Sequence, residues 1–163
     1  MRLYLIRHGK AVSAELAPSD AERPLSPEGR EGIERVAKRL HAFGVEWGVI
    51  LTSPLVRARQ TAELLCEAGL APSVEETGEL GPGGELPAWL PFLASWRKQG
   101  RGDLAAVGHL PNLALWAESL VWGEERDRIV LKPGGIIGLE LPEGGSIPGK
   151  CALFWVTSPK LLP

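Results

Sequence analysis

Arg7, His8 and Gly9 stand together at the end of a short apolar run, Arg57 follows a second such run, and His109 follows a third. Arginine presents a planar fork of donors that matches phosphate oxygens and keeps its charge. Imidazole can attack phosphorus and form a covalent intermediate, which splits one hard step into two. Glycine lets the backbone turn and pass close to a ligand without a side-chain clash. A bland turn after "RLYLI" would use Asn, Asp or Ser rather than a cation and a titratable ring. Two arginines and two histidines brought to one place make a phosphate site with a candidate nucleophile in it. The chemistry these residue types suit is phosphoryl transfer.

These residues meet only if the elements that carry them lie side by side. Residues 2–7 read as a strand bounded by Gly9, and the polar segment 10–24 runs over the surface. A helix follows within residues 25–44. Ser26 caps it, Pro27 suits its first position, Ile33, Val36, Ala37 and Leu40 share one face, and Gly44 stops it. Residues 47–53 form a second strand. The helix over 53–69 repeats the same start, with Ser53 as cap, Pro54 at the first position and Gly69 as stop. After the glycine-rich loop 76–87, residues 85–100 form a helix in which Pro91 produces a kink or a later start. Residues 103–108 are a strand, and 110–123 a helix with Pro111 near its start. Residues 135–141 and 151–157 read as closing strands that form a hairpin.

Strands alternating with helices predict an α/β fold: one domain, 1–163, with a central, mostly parallel sheet flanked by helices on both faces. The strand order does not follow from the pattern. In open α/β sheets the strand carboxyl ends share one crevice with the helix starts that face them, and ligands bind there. Arg7 and His8 at the first strand end, Arg57 about one turn into the second helix, and His109 after "LAAVG" would all face it. Helix N-termini add exposed N–H groups and partial positive charge.

The chain has 163 residues and a formal net charge of −2. It carries no broad basic field for nucleic acid or anionic lipid, so neither nucleic acid nor membrane is expected as a partner. A small anion needs only a local cluster of cations. No run approaches the roughly 20 apolar residues of a membrane span, and Arg7-His8 interrupts the N-terminal run too early for a signal peptide. The expected compartment is the cytoplasm. Cys66 and Cys151 lie far apart in apolar settings and read as core thiols. Trp89, Trp96 and Trp116 suit core positions, and His41 reads as a helix-surface residue. "GPGGE" (81–85) lacks the third glycine and the preceding strand of a dinucleotide fingerprint.

With these residues in hand, "LIRHG" resembles the signature of the histidine phosphatase superfamily, the group that also contains the phosphoglycerate mutases. "SPLVRARQTAE" looks like its second arginine motif and "VGHLPN" like its second histidine. With "RPLSPEG" (23–29), the chain is most similar to phosphohistidine phosphatases of the SixA type, from Arg2 to the "WVTSP" ending. The resemblance implies that His8 is the nucleophile that becomes phosphorylated. It implies that Arg7, Arg57 and His109 bind the phosphoryl oxygens, and that Arg23 reaches the site from the surface segment. It implies no metal or other cofactor, in keeping with a sequence whose remaining histidine, His41, has no closely spaced Cys, His or carboxylate cluster around it. The implied partner is a phosphohistidine-bearing protein of a phosphorelay or phosphotransfer system, or a small phosphorylated compound.

His8 must be neutral to attack, and Arg7 and Arg57 beside it should lower its pKa. The sequence offers no clear general acid: Glu79 and Glu85 flank "LGPGG" but cannot be set against the site, and the asparagine that commonly follows "RHG" in the mutase branch is missing. An alkoxide, whose conjugate acid has a pKa on the order of water's, about 16, needs a proton in the transition state, help typically worth about 100- to 10,000-fold. Imidazole, with a pKa of about 6.5, leaves readily once its ring is protonated. A site without an acid therefore favours phosphohistidine. The alternatives are a small phosphomonoesterase that would use Glu79 or Glu85, and a phosphate-binding interaction module without turnover.

Overall fold

The computed structural model describes residues 1–161. The six strands are β1 (Arg2–Arg7), β2 (Val49–Thr52), β3 (Val74–Glu76), β4 (Leu104–Gly108), β5 (Ile136–Glu140) and β6 (Ala152–Thr157). Four helices connect them: α1 (Pro27–Ala42), α2 (Val56–Glu67), α3 (Leu86–Gln99) and α4 (Asn112–Trp122). The strands pair in the order β3-β2-β4-β1-β5-β6. The three pairings from β3 to β1 are parallel, and β5 runs antiparallel to both β1 and β6. The single-domain α/β fold with a mostly parallel sheet is as the alternation predicts. Residues 136–140 and 152–157 form the expected hairpin, with a register shift at Gly138 and Leu139.

Each sheet face has its own core. On one side α1 and α2 pack Ile33, Val36, Leu40, Ala58, Ala62 and Leu65 against Tyr4, Ile6, Ile50 and Val107. On the other, α3 and α4 bring Trp89, Leu93, Trp96, Leu113 and Trp116 onto Leu3, Leu5, Leu51 and Ala106. Alternate residues of each central strand thus serve opposite faces, as strand geometry requires. The faces follow from the winding. From β1 the chain moves through β2 to β3 in one direction and returns to β4 in the other, so right-handed crossovers put α3 on the opposite face from α1 and α2. None of these helices is long and apolar enough to cross a membrane.

Local starts and stops are partly as expected. Ser26 Oγ accepts from Gly29 N at 3.0 Å and caps α1, with Pro27 in the first turn. Gly69 follows α2 with φ +81°. Ser53 is a correction: α2 begins at Val56, and its capping position is Leu55, whose side chain makes no cap bond. Ser53 instead is fully buried at the end of β2. Helix α3 starts at Leu86 and runs through Pro91. Strand β3 went unforeseen, because three residues on a sheet edge, only partly buried, carry no alternation to read.

Candidate active site

The register of the three central strands builds the site. Arg7 pairs with Gly108 across β1 and β4, and Thr52 pairs with Val107 across β2 and β4. One residue further, His8 N donates to Gly108 O (3.1 Å) and Ser53 N donates to Val107 O (3.0 Å). His8, His109 and Ser53 are thereby neighbours at one sheet edge. The two imidazole rings lie 4.9 Å apart, centroid to centroid, tilted by 54°.

His8 is held in one tautomer. Its Nδ1 is 2.7 Å from Gly9 O, and because a carbonyl only accepts, Nδ1 carries the proton. The lone pair of the neutral ring is therefore on Nε2, which accepts from Arg57 Nε at 3.2 Å. Gly9 N donates to Thr61 Oγ1 (3.0 Å), and Thr61 Oγ1 donates to Arg57 O (2.7 Å). One buried hydroxyl of α2 thus ties the histidine strand to the arginine helix. Gly9 is required by packing: a Cβ there would lie 2.8 Å from Ile33 Cγ1 and 2.9 Å from Leu25 Cδ2.

The guanidinium of Arg57, buried in the first turn of α2, spans the site. Besides His8 it donates to Asp20 O from Nη1 (2.6 Å) and to an Asp20 carboxylate oxygen from Nη2 (3.0 Å). Arg23 donates to the other Asp20 carboxylate oxygen at 2.8 Å and to Val12 O at 2.9 Å. The segment expected to run over the surface therefore folds back onto the site and brings both Asp20 and Arg23. Arg7 donates from Nη1 to Leu131 O at 2.7 Å, while its Nε is buried without an acceptor among the described residues. His109, buried, has Nε2 2.8 Å from Ser53 Oγ, which also accepts from Leu55 N.

Burial is the largest influence on both histidines. It pushes the His8 pKa down to about 4, against a raising bond to Gly9 O, with Arg57, Arg7 and Arg23 adding their repulsion. His109 is pushed down to about 3 by burial first, then by His8 and Arg57. The arginines act on His8 in the expected direction, but burial is the larger cause. Asp20 is held below the usual aspartate range by its bonds to Arg23 and then Arg57.

Arg7, His8, Arg57 and His109 thus converge, and Arg23 reaches them through Asp20. Glu79 hydrogen-bonds Thr77 and lines a separate cavity of about 290 Å³ with Glu75, Glu76 and Trp89. Glu85 lines another, of about 410 Å³, beside Asn112 and Trp116. Neither cavity includes His8. Sequence reasoning missed Asp20, Ser53 and Thr61. The one available signal was that Asp20 stands three residues before Arg23, the spacing of a local ion pair. Among the described residues no three His, Cys, Asp or Glu side chains stand together as a metal site would need.

The family model described as histidine phosphatase superfamily (branch 1) matches residues 3–80. A protein of Picosynechococcus sp., named only as uncharacterized, is 42% identical over the full length of both chains. Phosphohistidine phosphatase SixA of Escherichia coli is 32% identical over 76% of each chain. A solved structure of the protein histidine phosphatase SixA complexed with tungstate superposes with a TM-score of 0.89, at 29% identity and full coverage of both chains.

Proposed function

The chain belongs to the histidine phosphatase superfamily, and from that premise we propose that it hydrolyses phosphohistidine, on a protein or as a small phosphoramidate, through a phosphoenzyme on His8. The observation that carries this is the fixed tautomer: Gly9 O holds the proton on Nδ1, so Nε2 presents its lone pair to the site.

At rest Arg57 Nε covers that lone pair. An arriving phosphoryl oxygen takes over the Arg57 donor, and Nε2 is released to attack phosphorus in line. Arg7 Nε adds a buried donor that has no acceptor among the described residues, which a phosphoryl oxygen satisfies. The two negative charges of the phosphoryl group offset the repulsion on His109, which takes up a proton and becomes a further donor. Water then attacks phosphorus, the P–Nε2 electron pair returns to His8, and inorganic phosphate leaves. Among the described residues, the carboxylate bound at the site, Asp20, is ionised, and Glu79, bonded to Thr77, is held below the usual glutamate range, so neither stands ready to protonate a departing alkoxide. That absence supports an imidazole leaving group over a sugar or serine oxygen. A phosphohistidine-bearing protein of a phosphorelay or phosphotransfer system is the partner this chemistry suits, a small phosphoramidate the other possible substrate.

The test is an alkaline detergent-quench trap with phosphorus-labelled phosphoimidazole, beside His8→Ala. Label on the protein that survives base, is lost in acid and is missing from the variant is the expected result. Turnover should fall about 1,000-fold or more in His8→Ala. Unlabelled protein together with intact turnover in the variant would remove His8 from the chemistry.

A further inference from the structure

Asp20 is a carboxylate inside what is otherwise a cationic anion site. One of its oxygens accepts from Arg57 and the other from Arg23, while its backbone oxygen takes a second Arg57 donor. Its side chain is 60% exposed, whereas Arg57 beneath it is 7% exposed, so Asp20 lies on the solvent side of the arginine that borders His8. An in-line displacement puts the leaving group opposite the nucleophile, toward solvent. We propose, resting on the function argued above, that Asp20 selects the leaving group: it favours a protonated imidazole ring and disfavours neutral or anionic alcohols.

The chemistry of the step explains why a negative charge helps there. A phosphohistidine ring that carries a proton on its other nitrogen is a cation, and a carboxylate beside it accepts that N–H and keeps the ring protonated. The His8 Nε2–P bond forms as the P–N bond breaks, and the P–N electron pair returns to the ring nitrogen. The ring departs as neutral imidazole, still holding the proton it brought. No proton has to be delivered by the enzyme. The same carboxylate works against an ester, for two reasons. It repels the negative charge that builds on a departing oxygen, and it is ionised through its bonds to Arg23 and Arg57, so it has no proton to give. Asp20 also prevents the site from becoming a general sink for dianions, since it offsets one of the three arginine charges.

The test compares Asp20→Asn with the unaltered enzyme at pH 6 on phosphoimidazole and on p-nitrophenyl phosphate. Asparagine keeps an oxygen for Arg57 and removes the charge. A charge in a largely exposed position is worth up to about fivefold, so the ratio of kcat/KM for phosphoimidazole over p-nitrophenyl phosphate should drop by about two- to fivefold. Asp20→Glu should restore most of it. Equal losses on both substrates would reduce Asp20 to a support for Arg57 and overturn the proposal. A larger loss on the ester would make Asp20 a general acid and overturn it too. Unaltered enzyme that hydrolyses the ester but leaves phosphoimidazole untouched would instead overturn the phosphohistidine reading, and this inference with it. His8-dependent turnover of phosphoimidazole with an unmoved ratio would leave that reading standing and sink only the role of Asp20.

Discussion

Burial keeps the His8 ring neutral, and the Gly9 carbonyl fixes which of its nitrogens holds the lone pair. The same arrangement has a thermodynamic consequence. In the unfolded chain histidine protonates near pH 6.5, whereas His8 does so at about 4 and His109 at about 3. Between these limits the unfolded state binds more protons, so stability rises with pH. The contribution is complete above about pH 6.5 and is lost as pH falls toward 4 and then 3. Thermal melts from pH 7 to 4.5 should show a falling Tm, and replacing both histidines by Gln should flatten that slope. An unchanged slope would mean the folded histidines titrate normally. At this scale the sequence was informative where residue type and strand-end position mark a side chain, as with Arg7, His8, Arg57 and His109, which the structure brings together. It was silent on Asp20, whose partner Arg57 is 37 positions away and whose surroundings are a polar segment without periodicity.

Elements hold these residues through contacts that no residue type announces. Glu118 of α4 is fully buried, yet its carboxylate accepts from the backbone N–H groups of Arg126, Asp127, Arg128 and Ile129, at 2.6 to 3.0 Å. Burial raises its pKa, but the four donors outweigh that and leave it below the usual glutamate range. The segment it gathers runs on to Leu131, whose carbonyl holds Arg7. Glu118→Ala would leave these N–H groups without their acceptor. The expected cost is about 2 kcal/mol or more, or about 4–8 °C in Tm, read by thermal and urea unfolding. Phosphate affinity should fall as well, because the seat of Arg7 moves. In sequence Glu118 reads only as one polar position of a helix. Ser53 misled for a related reason: Ser-Pro before a helical run has the form of a cap, and only the neighbouring strand β4 puts His109 beside it.

At the scale of the whole molecule, strand and helix alternation made the fold class legible, while the strand order depends on pairings between segments far apart in the chain. That order gives helices α2 and α3, on opposite faces, different duties. The α1 and α2 layer holds Arg57 and Thr61 and packs Ile33 against Gly9, so its core sets the position of His8 and its arginine partner. Helix α3 in the other layer supplies Trp89, Leu93 and Trp96 to the core and none of the site's hydrogen bonds. Matched truncations separate stability from function. Leu65 of α2 and Leu93 of α3 are both fully buried, and each Leu→Ala change should cost about 2–5 kcal/mol through lost burial and a cavity. Leu65 lies one turn beyond Thr61 on the same helix, and a shift of that helix displaces Arg57 relative to His8. Below the unfolding temperature, Leu65→Ala should therefore lose on the order of tenfold or more in kcat/KM, because small misplacements of positioned groups are costly. Leu93→Ala should stay within about twofold, as expected for a distant site without shared partners. Equal kinetic losses in the two variants would mean that the sheet transmits strain from either layer, and that the division of duties between them does not hold.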